Sequence, residues 1–330
     1  MFLTNKIGFI TLTGLCVLAL GACMVLRPAG TISVKDLSKL ALDSNHKLSY
    51  ENESIELTAF ITGWVKAPAN ILIEQGTLNI KQELQEDQWV PSIAYVVRHP
   101  SKGVVILDTG LKSGKCDYGL RPVYWVPCRN AKGSDIVSRL IQANIHAKDI
   151  RYIIPSHFHG DHISGLENLL AFADAPVLIS AEAFVELQSP MRITKGIPSS
   201  MLAFDMRVAL FDTHWQLDEQ LEESFDVFGD GTLKIFKTVG HTGGHISALL
   251  HMPQQQVLLT FDAAHIEANA LLGIPSGTVA SREHALKSLA KINRLSSIYP
   301  KLITVYGHEP SQWLCSRRAD KLNVLGGKCF

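Results

Sequence analysis

Three histidines and an aspartate fall within six residues of one stretch, Ser156-His157-Phe158-His159-Gly160-Asp161-His162. A packed core has no use for that density of imidazole and carboxylate, because each buried polar group needs a partner. A polar surface loop has no reason to space them this way. A metal does have a use for them. Neutral imidazole and carboxylate suit zinc, and alternate residues on a turn converge on one point or on two adjacent points. The apolar run Tyr152-Ile153-Ile154-Pro155 just upstream reads as a strand, and residues 163–170 can begin a helix. The cluster therefore sits on a loop at a strand's C-terminal end, where α/β folds place their chemistry.

The elements that must position this loop follow from the hydropathy pattern. A β-rich run covers residues 55–65, and strands at 92–98 and 104–107 flank the turn His99-Pro100-Ser101-Lys102-Gly103. The second strand ends at Asp108-Thr109-Gly110, which suits either a tight turn beside a site or a plain Asx-type turn. Residues 111–133 form a long loop carrying Tyr118, Tyr124 and Trp125. Ser134 is placed to cap a helix through about Ala143, with Ile136, Leu140 and Ile141 as its apolar stripe. A short strand at 177–180 and a helix from Ala181 follow, then an irregular segment, 188–215. Its Met191, Ile193, Ile197, Met201, Leu202 and Phe204 either cover a substrate pocket or pack in the ordinary way.

The second half is again β-rich. Strands at 225–228 and 232–236 form a hairpin around Gly229-Asp230-Gly231. They run into Val239-Gly240-His241-Thr242-Gly243-Gly244-His245, and a later strand ends at Phe261-Asp262. Ser281 caps a helix through about Leu295, and a last strand at 302–306 ends at Gly307-His308. Four strand ends thus release potential ligands: the first cluster, His241, Asp262 and His308. Glycine stands beside two of them, at Gly240 and Gly307, where the chain must turn tightly.

Composition bounds the rest. The chain has 330 residues, 46% hydrophobic and 19% charged, with a formal net charge of zero. This is enough for one large domain or two ordinary ones. No broad basic face is implied, so nucleic acid is not an expected partner. At the N-terminus, Lys6 precedes an apolar run at 7–20 that is short for a membrane span. Leu20-Gly21-Ala22-Cys23 then resembles the bacterial lipobox. The expectation is a lipoprotein-type signal peptide at 1–22, a polar linker arm at 23–54, and a folded domain at 55–330. A lipid on Cys23 would hold an exported protein to a membrane surface, periplasmic or at the cell surface. An uncleaved anchor or an ordinary secretory signal would export it too. Cys16 lies inside the signal. The remaining Cys116, Cys128, Cys315 and Cys329 fall in two local pairs and allow three connectivities. In an oxidising compartment Cys116–Cys128 and Cys315–Cys329 are candidate staples, with unpaired thiols the alternative.

The motifs Ser-His-Phe-His-Gly-Asp-His at 156–162, Gly-His-Thr-Gly-Gly-His at 240–245, Thr-Phe-Asp at 260–262 and Gly-His-Glu at 307–309 closely resemble those of the metallo-β-lactamase superfamily. Asp108-Thr109-Gly110 looks like that family's turn after an early strand. The resemblance implies an α/β (α+β) fold, the αββα four-layer sandwich, with metals at one edge. It implies two divalent ions, zinc by default, with iron or manganese able to take similar ligands. His157, His159 and His241 would hold one, Asp161, His162 and His308 the other, and Asp262 would bridge both. His245 looks structural, while His99, His214 and His251 read as ordinary. Between two such ions a bridging water would become a hydroxide nucleophile near neutral pH. Asp161 could orient it or carry a proton to the leaving group.

Within the superfamily the likeness is to the N-acyl-homoserine lactonase branch, through Pro91-Ser92-Ile93-Ala94-Tyr95, Asp108-Thr109-Gly110 and Phe261-Asp262-Ala263-Ala264-His265. Familiar lactonases carry a tyrosine three residues after the bridging aspartate, contacting the lactone carbonyl; here His265 stands there, able to donate a hydrogen bond. Ser164-Gly165 replaces the usual Gly-Gly. The expected substrate is a small-molecule lactone or ester of the acyl-homoserine lactone signal type, with the apolar residues of 191–204 meeting its acyl chain. A β-lactamase, or a thioester or phosphodiester hydrolase of the same fold, is the first alternative, though β-lactamases usually lack the bridging aspartate. A non-catalytic metal-binding lipoprotein is the second. Oligomeric state is not encoded legibly.

Overall fold

The computed structural model describes residues 54–313 apart from 77–81, 115–125, 193–195, 198–204 and 254, together with the backbone of a strand at Ile32–Lys35. Residues 1–22, expected to be a signal peptide, and Cys23, Cys116, Cys315 and Cys329 lie outside the described residues. Cys128 is disulfide-bonded, and its partner therefore also lies outside them.

The strands divide by halves of the chain. The first sheet takes β1 (Ile32–Lys35), β2 (Glu56–Ala67), β3 (Gln88–His99), β4 (Gly103–Leu107), β5 (Cys128–Arg129), β6 (Ile150–Ile154), β7 (Val177–Ile179) and β8 (Met206–Leu210), in the spatial order β1-β8-β7-β6-β4-β3-β2-β5. The second takes β9 (Gln216–Asp218), β10 (Glu222–Asp226), β11 (Leu233–Lys237), β12 (Ile246–Met252), β13 (Gln255–Phe261) and β14 (Ile303–Tyr306), in the order β14-β13-β12-β11-β10-β9. Parallel neighbours need a crossover, and helices supply it. In chain order the helices are α1 (Ala69–Leu72), α2 (Ile136–Gln142), α3 (Gly160–Ile163), α4 (Leu166–Phe172), α5 (Ala181–Gln188), α6 (Glu267–Leu272) and α7 (Arg282–Ile298). Helices α2, α4 and α5 connect the parallel strands β4, β6, β7 and β8, and α7 connects β13 to β14.

Strand alternation decides which face each residue serves. Along β3, Ile93, Tyr95 and Val97 face the second sheet and meet Leu233, Ile235, Ala248, Leu250 and Leu259. Ala94 and Val96 face the other way, under Ile136, Leu140, Leu166, Leu169 and Leu187 of the helices. On the far side, Leu289, Ile292 and Leu295 of α7 cover Phe236, Leu249 and Leu258. The result is the expected four-layer αββα sandwich.

Three local expectations differ. The cap of α2 is Asp135, whose carboxylate accepts from the Ser138 amide at 3.0 Å, because Ser134 turns its hydroxyl back to the Thr62 carbonyl. The segment 188–215 contains β8, whose residues are buried toward both the helices and the second sheet, so no alternation marks it. The arm 23–54 contributes β1, which pairs in parallel with β8.

The edge of the sandwich opposite the strand ends that carry the ligands is pinned by one carboxylate. Asp230, in the β10–β11 turn, accepts from His99 Nε2 at 2.7 Å and Lys102 Nζ at 2.8 Å, both in the β3–β4 turn. His99 Nδ1 accepts from the Lys102 amide at 3.0 Å, so the ring proton sits on Nε2 and points at Asp230. Partial burial works against the Asp230 charge, but bonds from Lys102, Thr232 and His99 outweigh it and hold the carboxyl well below the usual carboxylate range. A depressed folded-state value means stability that is full above the unfolded value of 3.8 and lost as the pH falls below it. Asp230→Asn should therefore lower unfolding free energy at pH 7 by about 1–2 kcal/mol. In urea titrations the gap to wild type should narrow as the pH is taken below 3.8.

Candidate metal centre

Four strand C-termini meet at the other edge. The loop after β6 brings His157, His159, Asp161 and His162, the last two already in the first turn of α3. The β11–β12 connection brings His241, the end of β13 brings Asp262, and the end of β14 brings His308. Close approach explains two glycines. A Cβ on Gly307 would lie 2.7 Å from Asp262 Oδ1, and one on Gly196 would lie 2.7 Å from the His159 ring. The second contact shows that the 188–204 segment reaches the site with its backbone. Of its apolar residues, Ile197 is buried among the helices and Met191 is 58% exposed, while Ile193, Met201, Leu202 and Phe204 lie outside the described residues.

The seven expected ligands fall into two groups that share one carboxylate. His157, His159, His241 and Asp262 form one cluster of facing donor atoms, and Asp161, His162 and His308 another. Asp262 divides its oxygens between them. Oδ2 lies 3.2 Å from His241 Nε2 and 3.6 Å from His157 Nε2. Oδ1 lies 3.2 Å from both His162 Nε2 and His308 Nε2. Asp161 Oδ2 is 3.5 Å from His308 Nε2, and its side chain is 21% exposed where the Asp262 side chain is 4%.

A second ring of contacts holds these groups. Asp108, at the end of β4, accepts from the Ser156 amide at 2.6 Å and meets His162 Nδ1 at 2.8 Å. Ser156 Oγ donates to Asp108 and lies 3.0 Å from His157 Nδ1. His308 Nδ1 donates to the Pro91 carbonyl at 2.9 Å. Ser92 Oγ holds the Asp161 carbonyl at 2.5 Å, and Thr62 beneath it bonds Ser92 and the Leu111 amide. The Asp262 amide donates to His245 Nε2 at 3.1 Å, so His245 supports the backbone of Asp262. Asp108 was legible only as one of two equal readings of a turn. Its signal was a carboxylate at a strand end, and the chain gives it a positive φ of 57°. Thr62 carries no signal in the sequence, because a β-bulge between Ile61 and Gly63 places it, and Ser92 is marked there only as part of the 91–95 run.

Electrostatics follow from burial and partners. Burial drives His157 and His241 well below the usual imidazole value, and it drives His245 down to about 3. Burial opposes charge at His162 as well, but Asp262, Asp108 and Asp161 outweigh it and raise that ring. Asp262 would be pushed up by burial, yet His162, His308, His265 and His241 pull it well below the carboxylate range. His157 Nε2 and Asp262 Oδ1 are buried without a hydrogen-bond partner. Buried atoms left unpaired in this way, within one cluster of donors, fit a cation rather than a closed hydrogen-bond network.

Of the remaining histidines, His99 serves the distant turn, His214 lies near the Phe225 ring and His251 near Tyr299. His265 is 2% exposed, with Nδ1 3.2 Å from the Ile71 carbonyl and Nε2 3.1 Å from Asp262 Oδ2.

A family model described as the metallo-beta-lactamase superfamily matches residues 87–308. The chain belongs to that superfamily. Its curated relatives include the N-acyl homoserine lactonase AttM of Azorhizobium caulinodans, 28% identical over 250 residues, covering 71% of this chain and 87% of the relative. AttM of Agrobacterium fabrum is 27% identical over 277 residues, covering 76% and 96%. Among solved structures, Bacillus thuringiensis AiiA with N-decanoyl-L-homoserine at its active site has a TM-score of 0.62 at 20% identity, covering 80% of this chain and 96% of its own. AidC, a dizinc quorum-quenching lactonase, has a TM-score of 0.56 at 18% identity, covering 80% and 90%. For this superfamily member, Asp108→Ala should weaken metal binding roughly 10–100-fold, the usual cost of losing a group that orients a ligand. Competition with a chromophoric chelator measures it.

Proposed function

We propose that this protein is a dinuclear metal-dependent hydrolase that opens lactone rings of the N-acyl-homoserine type. The observation that carries the reading is the buried Asp262 carboxylate, one oxygen turned to each ligand cluster. A β-lactamase fits less well, since a carboxylate occupies that bridging position. The AttM relatives support the lactone as substrate.

His157, His159 and His241 would hold one ion, Asp161, His162 and His308 the other, with Asp262 between them. Bound there, two divalent ions would acidify a water toward neutral pKa and polarise the substrate carbonyl. Zinc is the reading this donor set favours. The chain's residues supply geometry and proton handling. Asp161 is the more exposed of the two carboxylates, and Ser92 fixes its backbone. It can take a proton from the attacking water and return it to the leaving ring oxygen. Ring opening adds water across the ester C–O bond and leaves a carboxylate and a hydroxyl, with release of a proton.

The metal-loaded protein should acidify weakly buffered solutions of short- and long-chain acyl-homoserine lactones, and His157→Ala should abolish this. Absence of turnover on every chain length would overturn the substrate reading, and turnover of nitrocefin in its place would favour a β-lactamase. The export and lipid anchor expected from residues 1–23 belong to the same proposal. Cys23→Ala should move the protein from the membrane fraction to the soluble one, and unchanged fractionation would remove the lipid from the reading.

A further inference from the structure

Among the described residues, His245 and His265 stand at this edge and neither ligand set claims them. The geometry of His265 repeats that of three claimed ones. His162 ties Nδ1 to Asp108, His157 faces Ser156 with Nδ1, and His308 gives its Nδ1 proton to the Pro91 carbonyl. In each, Nε2 is the nitrogen turned toward Asp262. His265 turns Nδ1 to the Ile71 carbonyl at 3.2 Å and Nε2 to Asp262 Oδ2 at 3.1 Å. A carbonyl only accepts, so Nδ1 carries the proton and the neutral ring has a bare lone pair on Nε2. That lone pair and the carboxylate oxygen then face each other at 3.1 Å, a pair of donors that one cation could share. His245 shows the contrast. Its Nε2 lone pair is used by the Asp262 amide, so it has nothing to offer a metal.

The position is also right. Nε2 of His265 groups with Asp262 and His308 as a third set of converging donors. The ring centroid stands 5.0 Å from that of His241 and 5.3 Å from that of His308, between the two clusters. Ligating histidines usually donate their other ring N–H to a carbonyl or carboxylate, and His265 does so.

We propose that His265 is a metal ligand in its own right, an additional imidazole that closes the face of the centre beside Asp262 and His308. In this arrangement Nε2 has no proton to give, so the ring does not act as the carbonyl donor implied by the tyrosine of familiar lactonases. Substrate orientation would then fall to other groups, and one coordination position would be taken by protein. The proposal rests on the two-metal reading, and its test separates the two.

Proton NMR of the cobalt(II)-loaded protein reads it directly. Each ligating histidine whose other nitrogen is protonated gives a strongly shifted, solvent-exchangeable N–H signal. Wild type, His265→Tyr and His265→Gln are compared, the two variants guarding against misfolding of either. One shifted exchangeable signal should disappear in both variants while the others persist. It should be among the slowest to exchange in wild type, because its proton is buried against Ile71. An equal number of signals in wild type and variants would overturn the assignment of His265 and leave the two-metal centre standing. A wild-type spectrum with no shifted signals would overturn both.

Discussion

The Asp262 carboxylate is the constraint on which the rest depends. It is 4% exposed, and an isolated buried charge costs several kcal/mol unless its surroundings compensate. Imidazole nitrogens of His162, His241, His265 and His308 lie within 3.2 Å of its oxygens. Each of those rings comes from a different loop, so the carboxylate cannot be satisfied unless β6, β11, β13 and β14 all end at the same edge. The backbone bends to permit this. Phe261, directly before it, has φ of +46°, and Asp108 has φ of +57°, a left-handed conformation that residues with a Cβ rarely adopt. Both departures stand at the end of a strand delivering a buried carboxylate, the kind of place where such strain persists because the surroundings fix it.

What the sequence makes legible here depends on distance along the chain. His157, His159, Asp161 and His162 are readable because their spacing already is the site. His241, Asp262 and His308 are readable as polar residues terminating apolar runs, and the resemblance assigns them a shared purpose. The same runs give two β-rich halves, and the resemblance supplies the four-layer arrangement. The supporting contacts are not. Whether Asp108 orients a ligand or closes a turn depends on where Ser156 and His162 lie, tens of residues away. Thr62 and Ser92 act through a bulge that no pattern of side chains encodes. Strand β8 is buried on both faces, Met206 and Val208 against the helices and Ala209 toward the second sheet, so it lacks the alternation that marks a half-exposed strand.

The two edges of the sandwich use the same residue types to opposite ends. At the turn edge, His99 accepts backbone amides through Nδ1, which places its proton on Nε2 and makes it a donor to Asp230. At the strand-end edge, His308 and His265 face backbone carbonyls through Nδ1, which places the lone pair on Nε2. A histidine beside an aspartate is therefore a hydrogen-bond donor in one case and a candidate ligand in the other. The difference is set by whether an amide or a carbonyl stands behind the ring. For His99, His265 and His308 that backbone partner fixes which ring nitrogen meets the aspartate.

The pairing of β1 with β8 has a bearing on solubility. Ile32 aligns with Met206 and Lys35 with Ala209, so the arm occupies the open hydrogen-bonding side of β8. Met206 and Val208 on that strand are almost wholly buried. A chain trimmed to begin at residue 55 would keep every residue of the metal centre, yet it would present an apolar strand with unpaired amides and carbonyls, a template for adding strands from neighbouring molecules. The arm thus serves as an edge guard, and a shortened protein would be limited by self-association before it was limited by chemistry.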